Sequence, residues 1–260
     1  MARKQTAGAC TLCGAKFGKS GMTRHLEKCL AQHAVGKPAG GARPARFFHI
    51  VVDGRYAADY WLHLGVRSNA KLEDLDGFLR HIWLECCGHM SAFTIEGATY
   101  SSYPDDEFGD EGMDLKLANV PPGVPFFHEY DFGTTTHLRL RIVGEYDAPA
   151  SKEHVTLLAR NNPPEISCTC GKQAVWTCCE CAYERSGWMC SECAAKHECG
   201  TDMLMPIVNS PRTGQCGYTG NEDHSKIYEE LRSFGGDLDD DAPEDDDDLE
   251  DDADGEEDGV

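Results

Sequence analysis

The stretch Phe47-Phe-His-Ile-Val-Val-Asp-Gly-Arg-Tyr-Ala-Ala-Asp-Tyr-Trp-Leu-His-Leu-Gly-Val66 contains two runs rich in aromatic and β-branched residues, separated by Gly54-Arg55-Tyr56. Runs of this composition bounded by a turn predict two adjacent strands. Downstream, Leu72, Leu75, Phe78, Leu79, Ile82 and Trp83 recur at helical spacing. That periodicity predicts an amphipathic helix, capped by Ser68 or Asn69 and ending at Cys86-Cys87-Gly88. Strand signals resume in AFTIEG (92–97). After an acidic loop they return in FFHEYDFG (126–133) and HLRLRIVGEY (137–146), expected as an antiparallel pair. Leu138, Leu140 and Ile142 alternate with Arg139 and Arg141, so one face is expected to be buried and the other wet. The expected fold class is α+β, with a compact mixed α/β domain over residues 47–146.

Several blocks in this domain resemble the plasmid pRiA4b ORF-3-like family. They are Leu84-Glu85-Cys86-Cys87-Gly88-His89 after the Trp83 helix, the strand with Phe93, and above all Glu129-Tyr130-Asp131-Phe132-Gly133 followed by a charged amphipathic strand. The resemblance spans roughly residues 47–146. It implies a compact α/β fold without a defined biochemical role. The resolvase or mobile-element label carried by some members implies nucleic acid as a partner class.

Further along, residues 166–236 read as a cysteine-rich module followed by a short helix near Ser225–Phe234. Its ligand types come in pairs: Cys168/Cys170, Cys178/Cys181, Cys190/Cys193 and His197/Cys199, with Cys179 left over. Four pairs of soft donors supply the eight ligands that two tetrahedral zinc ions need. Successive pairs suggest a cross-brace, in which the first and third share one ion and the second and fourth share the other. A sequential arrangement fits the spacing as well. The cluster is similar to cross-brace modules that mediate protein interactions.

At the other end, residues 1–34 contain Cys10-x-x-Cys13, then Phe17, Met22, His25 and Cys29. This resembles a ββα zinc finger with Cys10, Cys13, His25 and Cys29 as ligands. Two thiolates come from a hairpin knuckle and two donors lie one helical turn apart. Phe17 and Met22 are expected to fill a core too small to stand without metal. About three zinc ions are therefore expected in the chain. At the positions from which such a helix reads bases the chain offers Gly18, Gly21 and Arg24, so little sequence-specific reading follows. Lys16, Lys19, Arg24 and Lys28 remain as candidate phosphate contacts.

The other cysteines and histidines read blandly. Cys86 and Cys87 are expected to be small buried groups at a helix end, and His89, His128 and His137 ordinary core or surface histidines. Cys216 is a reserve ligand for the cluster. Residues 35–46 and 147–165 read as linkers.

The 260-residue chain carries a net charge of −21, and 16 acidic residues with no basic one lie between Asp237 and Val260. Such a tail cannot bury apolar surface and is expected to be disordered. The first 46 residues carry nine Lys/Arg against one Glu. No apolar run long enough to span a membrane is present, and MARKQTAGAC lacks a signal-type apolar core. A cytoplasmic setting with reduced thiols is expected, which tilts the 14 cysteines towards metal ligation. No phosphate-binding loop, dinucleotide fingerprint or marked nucleophile appears. The leading expectation is a non-enzymatic, zinc-binding interaction protein with a protein partner. A nucleic-acid-associated protein using its basic N-terminal finger is the alternative. An enzyme on the central domain, with a pocket lined by Asp131, His128, His137 and Glu129, is the third.

Overall fold

The computed structural model describes residues 6–33 and 44–236, apart from Asp106, Phe108, Ser151 and Tyr183. The acidic tail 237–260 and residues 35–43 of the expected linker lie outside the described residues.

A large sheet organises the molecule. The chain begins with β1 (Ala7–Cys10), β2 (Lys16–Gly18) and helix α1 (Lys19–His33). Then come β3 (Pro44–Gly54), β4 (Trp61–Arg67), helix α2 (Leu72–Leu79), β5 (Ser91–Ile95), β6 (Ala98–Ser101) and β7 (Glu111–Gly112). The sheet is completed by β8 (Phe126–Tyr130), β9 (Thr136–Pro149) and β10 (Val155–Asn161). These ten strands run in the order β2-β1-β10-β4-β3-β9-β8-β5-β6-β7. All neighbours are antiparallel except β6 and β7. Strand outweighs helix, so the α+β expectation holds only in its coarse form.

Both predicted strands of the opening stretch form and pair, with Ile50 opposite Leu64 and Val52 opposite Leu62. Their near-continuous apolar character follows from burial on both faces. On one face Ile50, Val52, Leu62, Leu64, Leu138 and Leu140 pack with Leu72, Leu75, Leu79 and Trp83. On the other, Trp61, Leu158 and Ala159 meet Met22, Leu26 and Leu30 of α1.

Helix α2 starts later than expected. Its N-cap is Lys71, whose N–H donates to Asp74 at 2.8 Å. The backbone of Ser68 is already bonded to Arg46 and Ala118, leaving the predicted caps outside the helix. The last turn, Arg80–Leu84, is π-helical, so the adjacent Trp83 and Leu84 are both buried. The helix stops there, before Cys86-Cys87.

Three expectations about organisation are corrected. The N-terminal finger is an extension of the sheet, because β1 pairs with β10. Residues 44–46 open β3, and the supposed linker 147–165 holds the end of β9 and all of β10. Phe17 lies 38% exposed, stacked on His25, while Met22 and Leu26 fill the core with Trp61 from the sheet.

The cysteine-rich part forms its own small sheet, in the order β12 (Trp188–Met189), β11 (Trp176–Cys178), β13 (Leu204–Pro206). Helices α3 (Ser191–Ala194) and α4 (Ser225–Ser233) pack against it, with Trp176 and Leu231 fully buried. Between β13 and α4 the chain returns to the α/β domain. There Trp83 Nε1 donates to the Asn209 carbonyl at 3.0 Å, and the Ser210 hydroxyl to the Trp83 carbonyl at 2.6 Å. Asn209 and Asn161 exchange two further bonds, at 2.7 and 2.8 Å. No helix among the described residues is long and apolar enough to cross a membrane.

Candidate metal centres

All 14 cysteines are free thiols. Thirteen of the 14 fall into four groups with three histidines, and within each group the donor atoms lie within 4.8 Å of one another. These groups could hold metal ions.

The first group is Cys10, Cys13, His25 and Cys29, as the spacing predicted. A tight turn after β1 builds the knuckle: Gly14 N–H donates to the Cys10 carbonyl at 2.8 Å, and Gly14 takes the left-handed conformation that glycine tolerates. His25 and Cys29 face it from α1. The sulfurs of Cys10 and Cys29 are 3.9 Å apart, and Cys13 Sγ is 3.3 Å from His25 Nε2.

The cysteine-rich part decides between the two pairings left open by its spacing. Cys168 and Cys170 gather with Cys190 and Cys193; Cys178 and Cys181 gather with His197 and Cys199. This is the cross-brace. The first pair sits on a turn in which Gly171 N–H donates to the Cys168 carbonyl. Cys190 is the N-cap of α3 and Cys193 lies in that helix, so one turn presents both thiols. Cys179 takes no part, its thiol lying 3.0 Å from the Met203 carbonyl.

The separations suit tetrahedral coordination. Sulfurs 2.3 Å from a common zinc stand about 3.8 Å apart along a tetrahedral edge. Cys170–Cys190 measures 3.6 Å and Cys181–Cys199 measures 3.7 Å. Crowding and burial set the thiols of a quartet against one another. Burial and the neighbouring Cys13 and Cys10 push Cys29 up to about 12. Burial opposes ionisation of Cys168 too, but the N–H groups of Cys170 and Cys190 outweigh it and bring that thiol down to about 6. A divalent ion bound there would remove the conflict by holding every sulfur as thiolate. His197 Nε2 is buried without a hydrogen-bond partner, as a nitrogen reserved for an ion would be.

The fourth group, Cys86, Cys87, His89 and Cys216, overturns the bland reading of these residues. Cys87 is exposed and Cys86 half-buried, so neither is a buried filler. Cys216 serves this group rather than the cluster. The signal in the sequence was Cys-Cys-Gly-His after a helix, together with an unassigned cysteine.

The residues suggested for an enzymatic pocket do not converge. His128 is fully buried and hydrogen-bonded to Asp76 at 2.7 Å. Glu129 and His137 are cross-strand neighbours on the opposite face, 2.9 Å apart. Asp131 adopts a left-handed conformation and is bound to Arg212 at 2.7 Å. Among the basic residues, Lys19 is tied to Asp53 at 3.1 Å, whereas Lys16, Arg24 and Lys28 are exposed.

No family model matches the chain, and no curated protein matches it. Among solved structures, one match is the crystal structure of a protein of unknown function from Methanosarcina mazei Go1, with a TM-score of 0.37 and 14% identity over 44% of this chain and 67% of that one.

Proposed function

We propose that this chain is a zinc-dependent, non-catalytic binding protein of a reducing compartment, in which metal quartets hold a recognition surface. The carrying observation is that each quartet already supplies four protein donors. A tetrahedral ion with four protein ligands is structural, whereas a catalytic zinc keeps one position open for water or substrate. Zinc fits the donor set best, since sulfur-rich tetrahedral sites select it over harder cations.

The recognition surface is the cleft between the α/β domain and the cysteine-rich module, about 1270 Å³ in volume. Tyr56, Tyr60, Pro163, Pro164, Trp188 and Pro211 line it. Rigid aromatic and proline side chains of this kind suit an extended peptide segment, because they bury area with little loss of side-chain freedom. Kinship of residues 47–146 with the pRiA4b ORF-3-like family belongs to the same proposal. It rests on Tyr130-Asp131-Phe132-Gly133, whose aspartate accepts the Gly133 N–H at 3.0 Å and anchors Arg212. The nucleic-acid reading has less to draw on, with Lys19 engaged and the apolar face of α1 laid on the sheet.

The test is affinity purification of the full chain beside a Tyr56→Ala, Trp188→Ala variant. Loss of co-purifying protein with unchanged zinc content is the expected outcome. An identical partner set from both chains would contradict the assignment of the cleft.

A further inference from the structure

Cys86, Cys87 and His89 lie just beyond the π turn that ends α2, and Cys216 lies in the segment returning from the cysteine-rich module. We propose that these four residues bind a fourth metal ion, of the thiophilic divalent class to which zinc belongs, and that this ion fastens the returning segment to the α/β domain. The inference goes beyond the recognition reading, which needs neither this ion nor its latch role.

The donor geometry matches that of the three other groups. Cys86 Sγ lies 3.7 Å from Cys87 Sγ, and Cys87 Sγ lies 3.8 Å from Cys216 Sγ. His89 Nε2 is 3.0 Å from Cys87 Sγ and 3.2 Å from Cys216 Sγ. The two sulfur edges equal the tetrahedral value of about 3.8 Å for zinc thiolates. No pair of them is a disulfide.

The surroundings are built as an outer shell. Glu85 accepts the Gly88 N–H at 2.6 Å, the Tyr130 hydroxyl at 3.0 Å and Arg80 at 2.7 Å. Those bonds fix the turn carrying Cys86, Cys87 and His89, and groups that hold the ligands in this way are what gives a metal site its affinity. Three thiolates and a histidine around a divalent ion leave one net negative charge. Arg212 offsets it: the side chain is fully buried and its Nη2 donates to Cys86 Sγ at 3.3 Å. The same guanidinium holds Asp131, Thr134 and Thr136, so the site is tied into the start of β9.

Cys216 itself gives an independent indication. It is a non-glycine residue at φ 47°, followed by Gly217 at φ 64°. A left-handed cysteine persists only where surrounding bonds over-determine it, and such strain concentrates at ligand-holding positions. Neighbouring contacts then explain what the ion does. Gln215 accepts the Thr136 hydroxyl at 2.9 Å, and Asn209 and Ser210 close on Trp83. The ion is the covalent-strength member of this seam, joining residues 129 positions apart in the chain.

The test uses the full chain, purified under reducing conditions and loaded with zinc, with metal counted by native mass spectrometry. Four ions per chain are expected, matching the four groups. Cys216→Ser and Cys87→Ser should each lose one ion and keep three, since both side chains are exposed and their removal leaves the cores intact. Limited proteolysis within 211–220 should accelerate in both variants. Three ions in the unaltered chain would overturn the proposal, as would four in both variants, or a Cys87–Cys216 disulfide in the reduced protein. A count of three would leave the other quartets, and the reading built on them, untouched.

Discussion

Arg212 is buried beside the turn that joins β8 to β9 and bonded to Asp131, Thr134, Thr136 and Cys86, with its guanidinium 4.8 Å from the centre of the Tyr130 ring. Removing one member of a buried ion pair leaves a charge without compensation, which costs about 3–5 kcal/mol. Arg212→Met should therefore lower the unfolding free energy in urea titrations by that amount, and Asp131→Asn, which leaves the buried Arg212 guanidinium without its carboxylate, should fall in the same range. A second buried pair sets a pH response. His49 Nε2 lies 2.8 Å from His63 Nδ1, and burial holds the two down to about 4 and about 3. Between the unfolded value near 6.5 and those folded values the unfolded chain binds more protons, so stability falls as the pH drops through that window. Above 6.5 this contribution is fully present. Thiolates and histidines holding metal would add a slope in the same direction, so the informative quantity is a difference. In urea titrations at pH 7 and pH 5, His49→Gln should lose less stability than the unaltered protein. None of this was legible at the residue level, because a His in an apolar strand carries no mark of its partner. Arg212 had no signal either, being one cation in a turn-rich segment.

At the scale of elements, the docking of the finger on the sheet is the main departure from expectation. Cysteine spacing made the ligand set legible, since two donors on a knuckle and two on a helix face are local facts. The surface covered by the helix was not, because Trp61, Leu158 and Ala159 come from distant strands. Leu26→Ala, at a fully buried position, should cost about 2–5 kcal/mol in denaturant unfolding. The junction has a tighter test. Gly8 in β1 pairs with Asn161, and a side chain there would run into the Arg160 carbonyl and the Trp61 ring. Overpacking of this kind costs about 1–3 kcal/mol. Gly8→Val should raise amide exchange in β1 and β2 without changing the zinc count. Unchanged protection would mean that the finger does not depend on its seam with β10. The helix α2 and the pair β8/β9 were readable because their periodicity is clean. The strand β10 was missed because its short alternation lies inside a stretch interrupted by prolines.

On the scale of the molecule, the two candidate metal sites of the cysteine-rich module interlock. Neither pair of pairs is contiguous in the chain, so on the proposed reading closure of the module would need both ions. Its own small sheet has three short strands, and its apolar centre is Trp176 with a few neighbours. A core of that size does not stabilise a fold by itself, and metal bound at the two quartets would supply the remaining folding free energy. The four paired motifs made this part of the design visible in the sequence. The fourth quartet was hidden because its ligands come from segments that only the finished fold brings together. The proposed role of the quartets requires that metal and tertiary structure be coupled. The direct measurement is a chelator titration of the full chain, following released zinc and near-ultraviolet circular dichroism together. Tertiary signal and protease resistance of residues 166–236 should be lost in step with the metal and return when zinc is restored. A fully stripped chain that keeps its tertiary signal and its resistance to protease would contradict it.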